Sequence, residues 1–177
     1  MYAKYRFLSR DDVHSHFRMA AFGRLTSNNS HLHQEELETV GQNSGWESGI
    51  IATQLLHKVA LSSSLSVEQV WDNAGGSKLP VGVDRSAVNY TFSVGKLMLP
   101  KAYTTYQQTN FNLMLEFMGQ RLNGSGKSYL DFAPSVQFII HSQARLDLAY
   151  RQQIYSQMDR QMRSLWLLKL EYTFFTL

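Results

Sequence analysis

The sequence lacks several features that would place it quickly in a structural class. It has no cysteine, so it cannot contain a disulfide framework. It has three prolines among 177 residues, and only 18% of the residues are charged, which is below the usual ~25%. The longest apolar stretches, such as 49–52 and 138–140, run for three or four residues. A transmembrane helix needs about 20, so the sequence excludes helical membrane spans.

Dense runs of basic residues are also missing. The net charge of +3 comes from 17 Lys and Arg against 14 Asp and Glu, spread along the chain, and this is too diffuse to indicate nucleic-acid binding. No secretory signal is visible, since residues 2–7 alternate apolar and cationic side chains without a long apolar stretch. We therefore expect the sequence to begin inside a strand, as a fragment without its signal peptide and first strands.

Aromatic residues, in contrast, are plentiful at 12%, and apolar residues recur at every second position. This period of two predicts amphipathic β-strands, with no well-delimited helix. It is clearest in Phe111–Phe117, Leu130–Ile140 and Ala144–Tyr150, whereas the faces of Trp46–Leu56 cannot be assigned. We predict one domain, 1–177, with nine strands at about 1–8, 13–27, 45–56, 61–72, 87–98, 107–119, 128–141, 143–152 and 163–176.

The predicted connections alternate between short and long along the whole chain. The long ones, such as 27–44 and 73–86, therefore share one end of the sheet. This sorting is typical of an antiparallel, up-and-down transmembrane β-barrel, which has short periplasmic turns and longer outer loops. Strands of this length suit a tilted crossing of the hydrocarbon layer, and closure pairs every backbone group. Nine is an odd number, so we expect a parent barrel of 10 to 14 strands.

The chain resembles a bacterial outer-membrane β-barrel protein of an uncharacterised, Gram-negative family. The resemblance lies in Tyr129–Tyr150 and Ser164–Leu177, which are similar to the last three strands of such barrels. The end, Leu168–Phe175, is similar to the C-terminal targeting strand, although the last residue is Leu177 instead of Phe and the frequent Gly is absent. The resemblance implies an outer-membrane location, contact with the lipid bilayer and recognition by the barrel assembly machinery.

The polar faces of the strands would then line the barrel interior, because charged groups at membrane depth must face the protein interior or water. The predicted lumen-facing charges are Lys4, Arg6, Arg18, Arg24, Arg145, Arg151 and Lys169 as cations, and Glu68, Glu116, Asp131, Asp147 and Glu171 as anions. They fit either a network that fills a narrow barrel or the wall of a hydrated pore.

Six histidines raise the question of a metal site. His31 and His33 lie two residues apart in the longest predicted loop, beside Glu35, and imidazoles with a carboxylate can bind zinc or copper. Without a further fixed ligand they fit an ordinary polar loop better. We therefore predict no metal and no cofactor, and keep these three residues as candidate ligands.

An outer-membrane phospholipase would need serine and histidine on a lipid-facing strand near the outer leaflet. The adjacent pairs, at His141–Ser142 and 14–16, fall in predicted periplasmic turns without an acyl-transfer partner, so we expect no enzymatic activity.

Three functions remain open. The first is a porin-like, passive channel or transporter for small solutes. The second is a filled structural or adhesive barrel whose function resides in its outer loops. The third is a soluble β-barrel that binds an apolar ligand.

Overall fold

The structure, a computed structural model, describes residues 1–31, 34–75, 78–100, 108–141 and 143–173. These residues form nine β-strands and their connections. The strands are β1 (Tyr2–Asp12), β2 (Ser15–Thr26), β3 (Ser44–Leu56), β4 (Val59–Trp71), β5 (Ser86–Leu99), β6 (Asn110–Leu122), β7 (Ser128–Ile140), β8 (Ala144–Ser156) and β9 (Ser164–Tyr172). Within the described part of the chain, no helix has the length and apolar character needed to cross a membrane.

The strands form one antiparallel sheet in sequence order. Each strand pairs with its neighbours in the chain, and β1 and β9 are the two edges, so the described sheet is open. The predicted all-β class and the nine-stranded up-and-down order are confirmed, with strand ends that differ by up to four residues. The end of the predicted targeting strand, residues 174–177, lies outside the described residues.

Strand register defines two faces of the sheet, because directly paired residues point to the same side. We call the side that carries Glu68 the polar face and the opposite side the apolar face. The register also assigns β3, which sequence alternation left open. Glu47 pairs with Arg24 and Glu68 on the polar face, while Trp46 pairs with Leu25 on the apolar face.

The apolar face is almost free of charge. In the described parts of β2–β9 it carries no carboxylate, and its two cations, Lys96 and Arg121, stand within four residues of a strand end. Large side chains such as Leu65, Leu115 and Leu170 are 52%, 46% and 75% exposed. Contiguous exposed apolar surface of this extent marks a face that another apolar phase or a partner covers.

The connections meet at two ends of the sheet. The loop end holds 27–43, 72–85, 123–127 and 157–163, and the turn end holds 13–14, 57–58, 100–109 and 141–143. The predicted sorting by length is wrong at one place, since 100–109 at the turn end is longer than 123–127 at the loop end. The difference arises because β6 begins three residues later than predicted, at Asn110. It also continues through the polar residues Gln120 and Arg121, which pair with β7.

Residues 34–43, in the longest connection (27–43), fold back onto the polar face, and we call this segment the inserted loop. Its residue Leu37 is 3% exposed and belongs to a small core with Val70, Ala87, Leu122, Tyr129 and Met158. This loop therefore starts and ends at the loop end but covers part of the polar face instead of extending away from the sheet. Leu37 gains an apolar site there, and the acidic residues around it gain polar partners.

Candidate functional site

The candidate site is the polar face together with the inserted loop. The side chain of Gln120 in β6, a residue that is 1% exposed, binds the backbone of the inserted loop. Its Oε1 accepts a hydrogen bond from the Leu37 amide at 2.9 Å, and its Nε2 donates to the Leu37 carbonyl at 2.8 Å. Nε2 also lies 2.7 Å from Asn89 Oδ1. The buried side-chain amide of Gln120 thus fixes the loop to β6. Leaving this amide or the Leu37 backbone without its hydrogen-bond partner would cost about 1–3 kcal/mol.

Glu68 of β4 provides a second attachment point. It is 2% exposed, and its Oε1 accepts a hydrogen bond from the Thr39 amide at 2.7 Å. Its Oε2 accepts another from Asn89 Nδ2 at 2.8 Å. The predicted lumen-facing carboxylate therefore lies on the polar face, but the inserted loop covers it instead of leaving it open to solvent.

Four charged side chains, two buried and two partly buried, attach the loop to β7 and β8. Arg160, from connection 157–163, contacts Asp131 Oδ2 at 2.7 Å and Glu36 Oε2 at 2.7 Å. Arg151 of β8 contacts the same two carboxylates at 2.6 and 3.1 Å. The Arg160 guanidinium also stacks 3.8 Å from the Tyr129 ring centroid, a cation–π contact. We call Glu36, Asp131, Arg151 and Arg160 the charge cluster; its two cations and two anions compensate each other.

The other predicted lumen-facing charges also lie on the polar face, most of them in pairs. Arg24 pairs with Glu47, Arg145 with Asp147, Lys169 with Glu171, and Arg18, more weakly, with Asp11, at 3.0, 3.0, 2.9 and 3.5 Å. Glu116 is half-buried and forms no ion pair with a described residue. The strand register brings these residues to one face, and of the predicted lumen-facing charges Glu68 and Asp131 are the ones that are fully buried.

Further contacts join the connections at the loop end. The Glu35 carboxylate accepts hydrogen bonds from Lys127 Nζ and from the Asp159 amide, and these contacts lower the pKa of Glu35. The Ser125 hydroxyl donates to Asp84 and lowers the pKa of that carboxyl. All four loop-end connections therefore form one cap.

The cap also bears on the candidate metal ligands. Glu35 is already bound by Lys127 and Asp159, His31 is exposed, and His33 lies outside the described residues. Among the residues that the structure describes, no group of three or more potential ligands surrounds a common point. The described part of the chain gives the metal hypothesis no geometric support.

The described residues, in contrast, leave the turn end of the polar face open. A cavity of about 690 Å³ lies there, with apolar walls that include Leu55, Ala60, Leu97 and Met114. At its rim the rings of His14 and His57, from two adjacent turns, stack with centroids 4.9 Å apart. The site thus has a covered half at the loop end and an accessible half at the turn end.

Glu38 is the residue of the inserted loop whose ionised form is disfavoured by its surroundings. Burial, reinforced by the nearby Glu36 carboxylate and only partly offset by Arg151, raises the pKa of Glu38. A raised pKa in the folded state means that stability falls as the pH rises through that pKa. We expect Glu38→Gln to raise the midpoint of urea unfolding at pH 7, because it removes a destabilising charge. This gain should vanish as the pH falls to 4.5, the ordinary pKa of a glutamate, since the carboxyl is then largely neutral.

Glu35→Gln is the matched control for this prediction. Because the folded pKa of Glu35 is lowered, its ionised form is stabilising, and we expect the variant to unfold at lower urea at pH 7. The decisive measurement is the urea midpoint of each variant relative to the native protein as a function of pH, which should change in opposite directions for the two variants. Equal midpoints for Glu38→Gln and the native protein at pH 7 would contradict it.

Several residues of this site had no place in the sequence prediction. Glu36 and Arg160 lie in connections, and Gln120 lies just beyond the predicted strand 107–119. Strand alternation therefore gives no reason to single them out. The available indication was local: Leu37 is an isolated apolar residue between acidic ones in a long loop.

Comparisons with known proteins give no relative. No family model matches the chain, and neither a curated protein nor a solved structure matches it. The functional argument therefore depends on the two faces of the sheet and the inserted loop.

Proposed function

We propose that the chain contributes its nine strands to an outer-membrane β-barrel that passes small solutes, with the inserted loop narrowing its lumen. The observation that carries this proposal is the apolar face, where eight consecutive strands carry no carboxylate in their described residues. Lipid disfavours charge on such a face: an arginine or lysine at the bilayer midplane costs about 2–4 kcal/mol, a carboxylate somewhat less, and a charge near the interface about 0–1 kcal/mol. A soluble sheet has no reason to keep charges off its exposed side.

The positions of the tryptophans support the same proposal. Trp46, Trp71 and Trp166 are the only tryptophans of the chain, and each lies on the apolar face within three residues of the loop end. They are 38%, 40% and 66% exposed. Tryptophan concentrates at membrane interfaces, where its ring is apolar and its N–H is hydrated. This row would mark the outer boundary of the hydrocarbon layer.

The uncovered parts of the polar face would form the passage. The inserted loop contacts β4, β6, β7 and β8. The described residues leave accessible the turn-end cavity, the polar face of β1 and Arg18 of β2. A lumen of 10 to 14 strands would be constricted by this loop without being filled by it.

Planar bilayers test the proposal with the full-length protein purified from the outer membrane. We expect unitary conductance steps, and larger steps when residues 34–41 are replaced by a short Gly-Ser linker. The matched control carries the same linker in place of residues 80–82, which are exposed at the loop end, and should conduct like the native protein. Recovery of the protein in a soluble fraction, or equal conductance of all three forms, would contradict the proposal.

A second candidate is a filled barrel with a structural or adhesive role. The cap favours it, because Glu35, Lys127 and Asp159 join three loop-end connections into one surface. Outer-membrane recovery without conductance steps, in both the native and the linker form, would select this function.

A further inference from the structure

Three basic side chains lie on the part of the polar face that the inserted loop leaves open. Lys4 and Arg6 of β1 pair with Phe22 and Ala20, which share the polar face with Arg18 of β2. All three basic residues are exposed. We call Lys4, Arg6 and Arg18 the basic strip.

The basic strip has little compensating negative charge. Lys4 and Arg6 form no ion pair with any residue that the structure describes, and Arg18 reaches only the exposed Asp11, at 3.5 Å. Arg24, the next cation of β2, forms an ion pair with Glu47. The strip therefore presents a net positive charge to the space beside it.

The acidic residues of the polar face are placed differently. Glu68 and Asp131 are 2% and 1% exposed beneath the inserted loop. The pairs on β8 and β9, Arg145 with Asp147 and Lys169 with Glu171, are electrically balanced. The loop thus covers Glu68 and Asp131 and leaves Lys4, Arg6 and Arg18 accessible, so the charge beside β1 and β2 is more positive than that of the whole face.

We propose that the passage beside β1 and β2 selects small anions, such as chloride and short carboxylates. The inference rests on the proposed channel function. Fixed charges lining a pore set its ion selectivity, and low-dielectric walls strengthen their field in the lumen. The basic strip would raise the local concentration of anions and exclude cations, with Arg6 nearest its centre along the two strands.

Reversal potentials in a potassium chloride gradient test this inference on the full-length protein in planar bilayers. We expect the native channel to be permeable to chloride over potassium. The double variant Lys4→Glu/Arg6→Glu should reverse that preference, and Lys4→Gln/Arg6→Gln should abolish it with less risk to folding. The preference should also weaken between 0.1 and 1 M salt, as the Debye length falls from about 10 Å to about 3 Å.

Arg10→Glu is the matched control, because Arg10 lies on the same strand but pairs with Phe17 on the opposite face, near the turn end. It should leave the reversal potential unchanged. Conductance steps with a potassium preference, or a chloride preference that survives both double variants, would overturn the basic strip as the selectivity element while leaving the channel in place. Absence of any steps would overturn the channel itself, and the selectivity with it.

Discussion

Leu115→Arg is expected to destabilise the protein strongly if, as proposed, it folds in the outer membrane. Leu115 lies near the middle of β6, pairs with Val94 and Pro134, and is 46% exposed on the apolar face. In a lipid bilayer the guanidinium would replace a methyl-rich contact with hydrocarbon. An arginine at the midplane of such barrels costs about 2–4 kcal/mol, a large fraction of the stability of a protein of this size.

The neighbouring residue supplies the control. Met114 precedes Leu115 in β6 but lies on the polar face, in the wall of the turn-end cavity. In a membrane barrel, Met114→Arg would face water and should fold, as judged by heat-modifiable migration and by urea unfolding in lipid vesicles. If the sheet described here, with its apolar face exposed, belonged to a soluble protein, Leu115 would already face water, where a substitution usually stays within about 0.5 kcal/mol. Normal folding of Leu115→Arg would therefore contradict the membrane proposal.

Local alternation is enough to predict most of the strands because the side-chain period of a strand is independent of its partners. It fails at β3, where Gly45, Gly49 and Ala52 are too small to mark a face and Ile50 and Ile51 are adjacent. There the face is decided by pairing, since Arg24 of β2 contacts Glu47. Alternation also ends β6 too early, because Gln120 is polar and yet nearly inaccessible to solvent.

The inserted loop is beyond the reach of a local pattern for a different reason. Gln120 binds Leu37 across 83 residues of sequence, and Arg160 binds Glu36 across 124. A period of two carries no information about such contacts, and loops of outer-membrane barrels are commonly outside the barrel. The sequence therefore predicts which charges share a face but not which of them the loop covers. The whole polar face is nearly balanced in charge, whereas its accessible part beside β1 and β2 is basic.

Arg160→Met should release the inserted loop from the β7–β8 side of the sheet. The Arg160 and Asp131 side chains are 3% and 2% exposed, and Glu36 is the second carboxylate that Arg160 binds. Methionine keeps much of the side-chain volume but leaves both carboxylates with Arg151 as their remaining cation. Removing one partner of a buried ion pair costs about 3–5 kcal/mol, so we expect a clearly lower urea midpoint and cleavage of residues 34–41 by added protease.

Arg163→Met is the matched control, three residues further along the same chain segment. Arg163 is exposed and forms no ion pair with a residue in the described ranges, so its loss should stay within about 0.5 kcal/mol. The double variant Arg160→Met/Glu36→Gln should lose less than the two single variants together, because Glu36→Gln removes one carboxylate that Arg160→Met leaves poorly compensated. Strict additivity, or equal midpoints for the Arg160 and Arg163 variants, would mean that the charge cluster does not hold the loop. The attachment would then depend on Gln120 and the core around Leu37.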